Sequence, residues 1–397
     1  MSNMAAMPLA GLRVLDLSNF LAAPFLTMLL GDFGAEVIKV ERPDGGDELR
    51  FWGRNKGGVG LYYKVINRNK KSITVDLRTP LGLEIVKRLV RDVDVVVENY
   101  RPGTLERWGM GYDVLSEINP RIVLVRVTGF GQTGPYSSRP GFGTLAEAFS
   151  GYAYVNGEAD RAPLLPAFGL ADATTGMAAA FLTMVALRER DLSGVGQVID
   201  VAIYEPLFTL LGPHVVDYDQ LGVVQERNGS RLPFTAPRNI FRTRDDRFVS
   251  ISGSAQSTFE RICAALDTPE LVADPRFGDN RLRLENVTAL EDALQAAVSR
   301  YDFDDLLVRF ERHQATIAPV YSVAQIFEDP HYKARHNIAA VEDQELGVVR
   351  MQDVVGRLSR TPGAVRHAGP PLGEHNREIL IDRLGFSEAE LAAEVPL

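Results

Sequence analysis

Asp172 lies in the run Leu164-Leu-Pro-Ala-Phe-Gly-Leu-Ala-Asp-Ala-Thr-Thr-Gly-Met-Ala-Ala-Ala180, where an extended segment gives way to an Ala-rich helix. A carboxylate there meets the partial positive end of the helix among side chains small enough to admit a bulky substrate. Two readings follow. Asp172 is a nucleophile, or it is an N-cap that accepts a backbone N–H bond. A second carboxylate, Glu147, sits 25 positions earlier in Gly141-Phe-Gly-Thr-Leu-Ala-Glu-Ala-Phe-Ser150, as a substrate contact or as a charge on a helix surface.

Cationic and amide side chains recur just after or before apolar runs. Arg42 follows Glu36–Glu41, Asn67 and Lys70 precede the run that starts at Ser72, and Asn99 and Tyr100 follow Val93–Glu98. If those runs are parallel strands, the segments that follow them gather at the carboxyl edge of one sheet, where ligands bind. Arg42, Asn99 and Tyr100 then share a rim that Lys70 reaches from a neighbouring loop. Guanidinium and ammonium groups with a stacking ring suit a phosphorylated adenine ligand. Gly129-Phe-Gly-Gln-Thr-Gly134 matches a dinucleotide fingerprint, but Pro135 and Pro140 stop the helix such a site requires. Only His331 and His336 among six histidines are closely spaced, so no metal site is expected.

The elements that position these groups alternate. Strands are expected at Arg13–Leu17, Glu36–Glu41, Ser72–Leu77, Val93–Glu98, Ile122–Val127 and Gln197–Tyr204, with helices at Pro24–Phe33, Leu81–Arg91, Tyr112–Ile118 and from Asp172 to Glu189. This pattern predicts an α/β fold with an open, doubly wound, Rossmann-like parallel sheet. Beyond Asp217 the texture turns polar and irregular, then alternates again from Arg247. The expected organisation is a large domain over 1–216, a smaller α+β domain over 217–330, and a return to the large domain over 331–397. There Gly347–Met351 is expected as a closing strand and Glu374–Arg383 as a terminal helix.

At 397 residues the chain exceeds what one core usually supports. A net charge of −9 gives no general attraction to nucleic acid or anionic membrane, so an anionic ligand needs a local basic cluster. Cys263 is the only cysteine, which excludes a disulfide framework and suits a core position in a reducing cytoplasm. The apolar run Phe20–Leu30 contains Pro24 and is too short to span a bilayer.

Taken together, these segments resemble the family III (CaiB/BaiF) CoA-transferases, the family of formyl-CoA transferase, carnitine CoA-transferase and the α-methylacyl-CoA racemases. The likeness rests on Arg13-Val-Leu-Asp-Leu17, Gly34–Pro43 with Gly46-Asp47, Asn67–Lys71, Val96–Tyr100 with Pro102-Gly103, Gly129-Phe-Gly131 with Gly134-Pro135, Asp172 with Gly176, and the segments Leu358–Gly363 and Gly369–His375. It implies an interlocked homodimer and a nucleophilic Asp172. It also implies CoA held by Arg42, Asn67, Lys70, Asn99, Tyr100 and Arg107, with acyl-CoA and a carboxylic acid as substrates and no further cofactor.

Phe142, Gly143, Glu147 and Gly253 are the expected substrate-pocket residues. Backbone amides at Ala171–Asp172 or Ser252–Ser254 are expected as oxyanion donors. Phe142 occupies the place of the racemase histidine and can serve as neither acid nor base, which favours transfer over racemisation. Leu21 and Gly143 depart from the glutamine and glutamate of the oxalate-using members. An acyl-CoA racemase and a non-catalytic acyl-CoA-binding protein remain the alternative readings.

Overall fold

The computed structural model describes residues 7–392, 394 and 395. A six-stranded parallel sheet is built from β1 (Arg13–Asp16), β2 (Glu36–Glu41), β3 (Lys70–Thr74), β4 (Val95–Glu98), β5 (Val123–Thr128) and β6 (Val198–Ala202), in the order β3-β2-β1-β4-β5-β6. The inner strands β1, β2, β4 and β5 are buried on both faces, which is why they are rich in Val, Ile and Leu, whereas the edge strand β6 alternates exposed and buried residues. Alternation divides them: Val14, Val37, Val95, Val97, Val123 and Val125 pack on one side, while Leu15, Ile38, Ile73, Val96 and Leu124 pack on the other.

The first face is covered by α1 (Ala22–Asp32) and the 24-residue α7 (Leu170–Ser193), which cross closely. Gly176 permits the approach, because a Cβ there would lie 2.8 Å from Ala22 O and from Phe25. The second face is covered by α3 (Pro80–Val90), α5 (Tyr112–Ile118) and the π-helical segment Arg377–Arg383. Short helices α2 (Leu61–Ile66), α4 (Thr104–Arg107) and α6 (Gly143–Phe149) lie in the connections.

The chain divides into two compact units. The large one holds the chain up to Ala153, Leu165–Val223, and everything from His331 onwards; the small one holds Tyr154–Leu164 and Val224–Pro330. The boundary expected at 216 thus falls at Val223, and an earlier eleven-residue excursion, Tyr154–Leu164, not foreseen from the sequence, also belongs to the small unit. That unit carries an antiparallel sheet of β7 (Arg238–Arg242), β8 (Phe248–Ser252) and β9 (Ile317–Pro319) over a core that includes Phe259, Cys263 and Phe310.

Two expectations are corrected. Gly347–Met351 is a strand but does not close the large sheet. It forms β11 (Gly347–Gln352) of a separate hairpin with β10 (Ile338–Asp343), because its exposed residues have no second apolar face to bury. Asn67–Lys71 is not a loop from which Lys70 reaches the rim either. Arg68 grips Asp32 with two hydrogen bonds, Asn69 joins Asp32 to Arg366 N, and Lys70 opens β3, so the polar run is a buried hub tying the two ends of the chain together.

Candidate active site

The strand order reverses between β1 and β4, so the loops leaving these two strands diverge and open a crevice. A cavity of about 310 Å³ occupies that place, lined by Asn19–Ala22 from the first loop, Asn99–Pro102 from the second, Thr128 and Gly129 at the end of β5, and Arg139–Phe142. The two loops are clamped together. Asn99 donates to Asn19 O at 2.7 Å and accepts from Asn19 N at 2.9 Å. Tyr100 donates to Leu17 O at 2.8 Å and packs edge-on against Trp108.

A second cavity of about 450 Å³ lies beside Trp52, Tyr62, Thr144, Glu147 and Leu165–Gly169. Among the described residues, Asp172 alone lines both. It occupies the third position of α7, with Gly169 as the cap residue, and no described residue donates a hydrogen bond to its carboxylate. The N-cap reading is thereby corrected. Capping falls instead to Glu147, whose Oε1 accepts from Leu170 N at 3.0 Å and Ala171 N at 3.3 Å. Glu147 is 2% exposed, so it is not a surface charge. Its use of the Ala171 amide removes that group from the expected oxyanion donors.

Glycines shape the seat of Asp172. An alanine Cβ at Gly143 would lie 1.9 Å from Asp172 Oδ2, and one at Gly169 would lie 3.1 Å from the same atom. The carboxylate therefore occupies space that only the absence of a side chain at Gly143 leaves open. Burial, followed by the negative charge of Glu147, pushes the Asp172 carboxyl up to about 6. Burial also raises Glu147, against the two amides that hold its charged form.

Of the six expected CoA contacts, Asn99 and Tyr100 line the first cavity. Arg42 is exposed and paired with Glu48, a residue of that lining, at 2.9 Å. Arg107 is exposed on α4, with its guanidinium on Thr104. Lys70 is corrected: it is fully buried, and its ammonium spends three donors on Asp16 Oδ2, Pro24 O and Asn67 Oδ1. No proton remains for a phosphate, and burial pushes this ammonium down to about 8. Asn67 is equally buried and serves as the acceptor of Lys70.

Phe142 is 61% exposed at the cavity mouth. Gly253 belongs to the small unit, where its amide donates to Pro237 O and a Cβ would strike Ile262 at 2.5 Å, so packing explains it. Sequence reasoning passed over Arg101 and Arg139, the two cations that line the cavity. Arg101 directly follows Tyr100 on the strand-end loop, which was the available signal. Gly129 opens the dinucleotide-like motif of the sequence. Its Cα instead faces Gly141 so closely that a Cβ would lie 2.5 Å away, and the glycine pair lets two backbones cross beneath the cavity.

The model of CoA-transferase family III matches residues 9–376. The chain is 46% identical over 386 residues to the succinyl-CoA:D-citramalate CoA-transferase of Chloroflexus aurantiacus, covering 97% of this chain and 96% of that one. It is 41% identical over 389 residues to the beta subunit of the succinyl-CoA:L-malate CoA-transferase of the same organism, covering 97% and 96%. The crystal structure of a CaiB/BaiF family protein from Brucella suis superposes with a TM-score of 0.84 at 34% identity, covering 95% of this chain and all of that one. With the same fold and a family match over nearly its whole length, the chain belongs to CoA-transferase family III and is a CoA-transferase.

Proposed function

We propose that the enzyme moves CoA from succinyl-CoA to a short dicarboxylic acid through covalent intermediates on Asp172. One observation carries this reading: among the described residues, a carboxylate raised toward neutrality is the only side chain common to two cavities, one of them at the switch point of a Rossmann-like sheet. The cavity lined by Tyr100, Arg101 and Arg139 receives the CoA portion; the cavity lined by Tyr62 and Thr144 receives the acid. The succinyl donor and dicarboxylate acceptor are taken from the relatives at 46% and 41% identity.

In the proposed sequence an Asp172 oxygen attacks the thioester carbonyl and the C–S bond breaks, giving an aspartyl anhydride and CoA thiolate. The thiolate attacks the aspartyl carbonyl, releases succinate and leaves an aspartyl-CoA thioester. The acceptor carboxylate displaces CoA from that thioester to form a second anhydride. CoA thiolate then takes the acceptor acyl group, and the Asp172 carboxylate is restored.

The proposed assembly is an interlocked homodimer. Its support is the apolar row Met177, Phe181, Leu182, Met184 and Val185, exposed on α7, a helix long and apolar enough to cross a membrane by length and composition, although its other side packs on α1 and the sheet. The test is a screen of acyl-CoA donors against a panel of carboxylates, with mass detection of new thioesters, together with hydroxylamine trapping during turnover. A hydroxamate at Asp172 that forms only with acyl-CoA present is the expected result. An adduct mapped to Glu147 would overturn the assignment, and a monomer mass in light scattering would overturn the dimer.

A further inference from the structure

Phe20 has a backbone conformation that a phenylalanine adopts only under constraint: its φ is +65°, in the left-handed region. The constraint comes from hydrogen bonds to side chains of neighbouring segments. Its amide donates to Asp47 Oδ1 at 3.0 Å, and Asp47 is ion-paired at 2.8 Å with Lys39, both side chains being fully buried. Lys39 in turn donates to Ser18 O at 2.7 Å, while Asn99 brackets Asn19 from both its amide and its carbonyl. Residues held so firmly in a sparsely populated conformation tend to serve the site they face.

The ring of Phe20 lies in the middle of an aromatic row. It meets Phe142 edge-on at 6.3 Å on one side and Trp52 edge-on at 6.4 Å on the other, and Trp52 continues to Tyr62 at 5.9 Å. Phe20 and Phe142 line the first cavity; Trp52 and Tyr62 line the second. The row therefore crosses from one cavity wall to the other, next to the single residue that the cavities share.

We infer that Phe20 is a positioning residue that partitions the two cavities and keeps water from the acylated Asp172. The inference rests on the proposed covalent mechanism. Its chemical consequence is a change in partitioning: without the ring, a water oxygen adds to the aspartyl carbonyl of the enzyme thioester, the C–S bond breaks, CoA leaves as thiolate and the proton passes to solvent. The net reaction is then hydrolysis of acyl-CoA to acid and CoA, with one water consumed and no acceptor used.

The experiment measures free thiol released against new acyl-CoA formed, with succinyl-CoA and a dicarboxylate acceptor, for wild type, Phe20→Gly, Phe20→Tyr and Phe142→Ala. Glycine accepts the positive φ without strain, so Phe20→Gly removes the ring while sparing the backbone. The expected result is a hydrolysis-to-transfer ratio at least tenfold above wild type in Phe20→Gly, a smaller rise in Phe142→Ala, and a wild-type ratio in Phe20→Tyr. A wild-type ratio in Phe20→Gly overturns the inference. If Phe20→Gly does not fold, a wild-type ratio in Phe142→Ala overturns it. Absence of any CoA transfer by the wild-type enzyme would instead bring down the functional reading and this inference with it.

Discussion

Glu147 caps the helix that carries Asp172: its carboxylate accepts the amides of the two residues immediately before the proposed nucleophile. One side chain thereby fixes the start of α7 and places a negative charge where it makes Asp172 harder to ionise. Glu147→Gln keeps an acceptor oxygen and removes the charge. The low-pH limb of kcat/KM, expected near pH 6 in the wild type, should move to lower pH in this variant, because Asp172 must be ionised to attack. Glu147→Ala loses the cap as well and should cost about 0.5–2 kcal/mol of stability, read from denaturant midpoints. An unmoved limb in Glu147→Gln would contradict the electrostatic link.

Asp172→Asn should abolish CoA transfer and stabilise the protein at alkaline pH. The folded carboxyl, raised to about 6 from 3.8, binds its proton more tightly than the unfolded one. Its contribution to stability is fully present below about pH 4 and is lost as the pH rises through 6. Replacing it by a neutral amide should therefore stabilise the fold at pH 8 and not at pH 4, by an amount on the order of 1–3 kcal/mol, and raise Tm only at the higher pH. Melting curves at the two pH values check this.

Gly143→Ala places a methyl group where the Asp172 oxygen now lies, 1.9 Å away. The carboxylate must turn aside, and a displacement of about 1 Å at a nucleophile can cost roughly a hundredfold in rate. The expected outcome is a large fall in kcat with little change in the KM for acyl-CoA. Steady-state kinetics distinguishes this from general unfolding.

Arg101 and Arg139 should behave in the opposite way to Lys70. Alanine at both arginines removes cations from the cavity lining and should raise the KM for acyl-CoA, each charged contact contributing about 1.5–3 kcal/mol, without a change in Tm. Lys70→Met leaves Asp16 unpaired in the core and should destabilise the fold by about 3–5 kcal/mol. Calorimetric CoA binding and chemical denaturation report the two outcomes separately.

Phe142 stands at the cavity mouth without an acid or base function of its own. A 2-methylacyl-CoA incubated with the enzyme in deuterated water should keep its α-proton. Deuterium incorporation at a catalytic rate, dependent on Asp172, would move the enzyme to the racemase branch.

The strands of the large sheet were legible because parallel strands buried on both faces leave unbroken apolar runs between glycines and prolines, as in Val95–Glu98 and Val123–Thr128. From those strands the carboxyl-edge placement of Asn99 and Tyr100 followed. The positions of Lys70 and Glu147 were not legible. Polar runs read as solvated unless their partners are known, and Lys70 pairs with Asp16 54 residues away, while Glu147 caps amides 23 and 24 residues further on. The hairpin Ile338–Gln352 was recognisable as extended chain, but which sheet a strand joins depends on which face finds cover.

The edge of the large sheet is sealed late in synthesis. On β3, Ser72 N donates to His375 Nδ1 and Thr74 N to Asn376 Oδ1, a partner 302 residues further along the chain. At a translation rate of about 5–20 residues per second, the nascent chain carries this open strand for roughly 15–60 s before its partner leaves the ribosome. Through that interval the unsatisfied amides are a template for pairing with another chain. Folding yield should therefore depend more on chaperone capacity and expression temperature than on the stability of the finished enzyme.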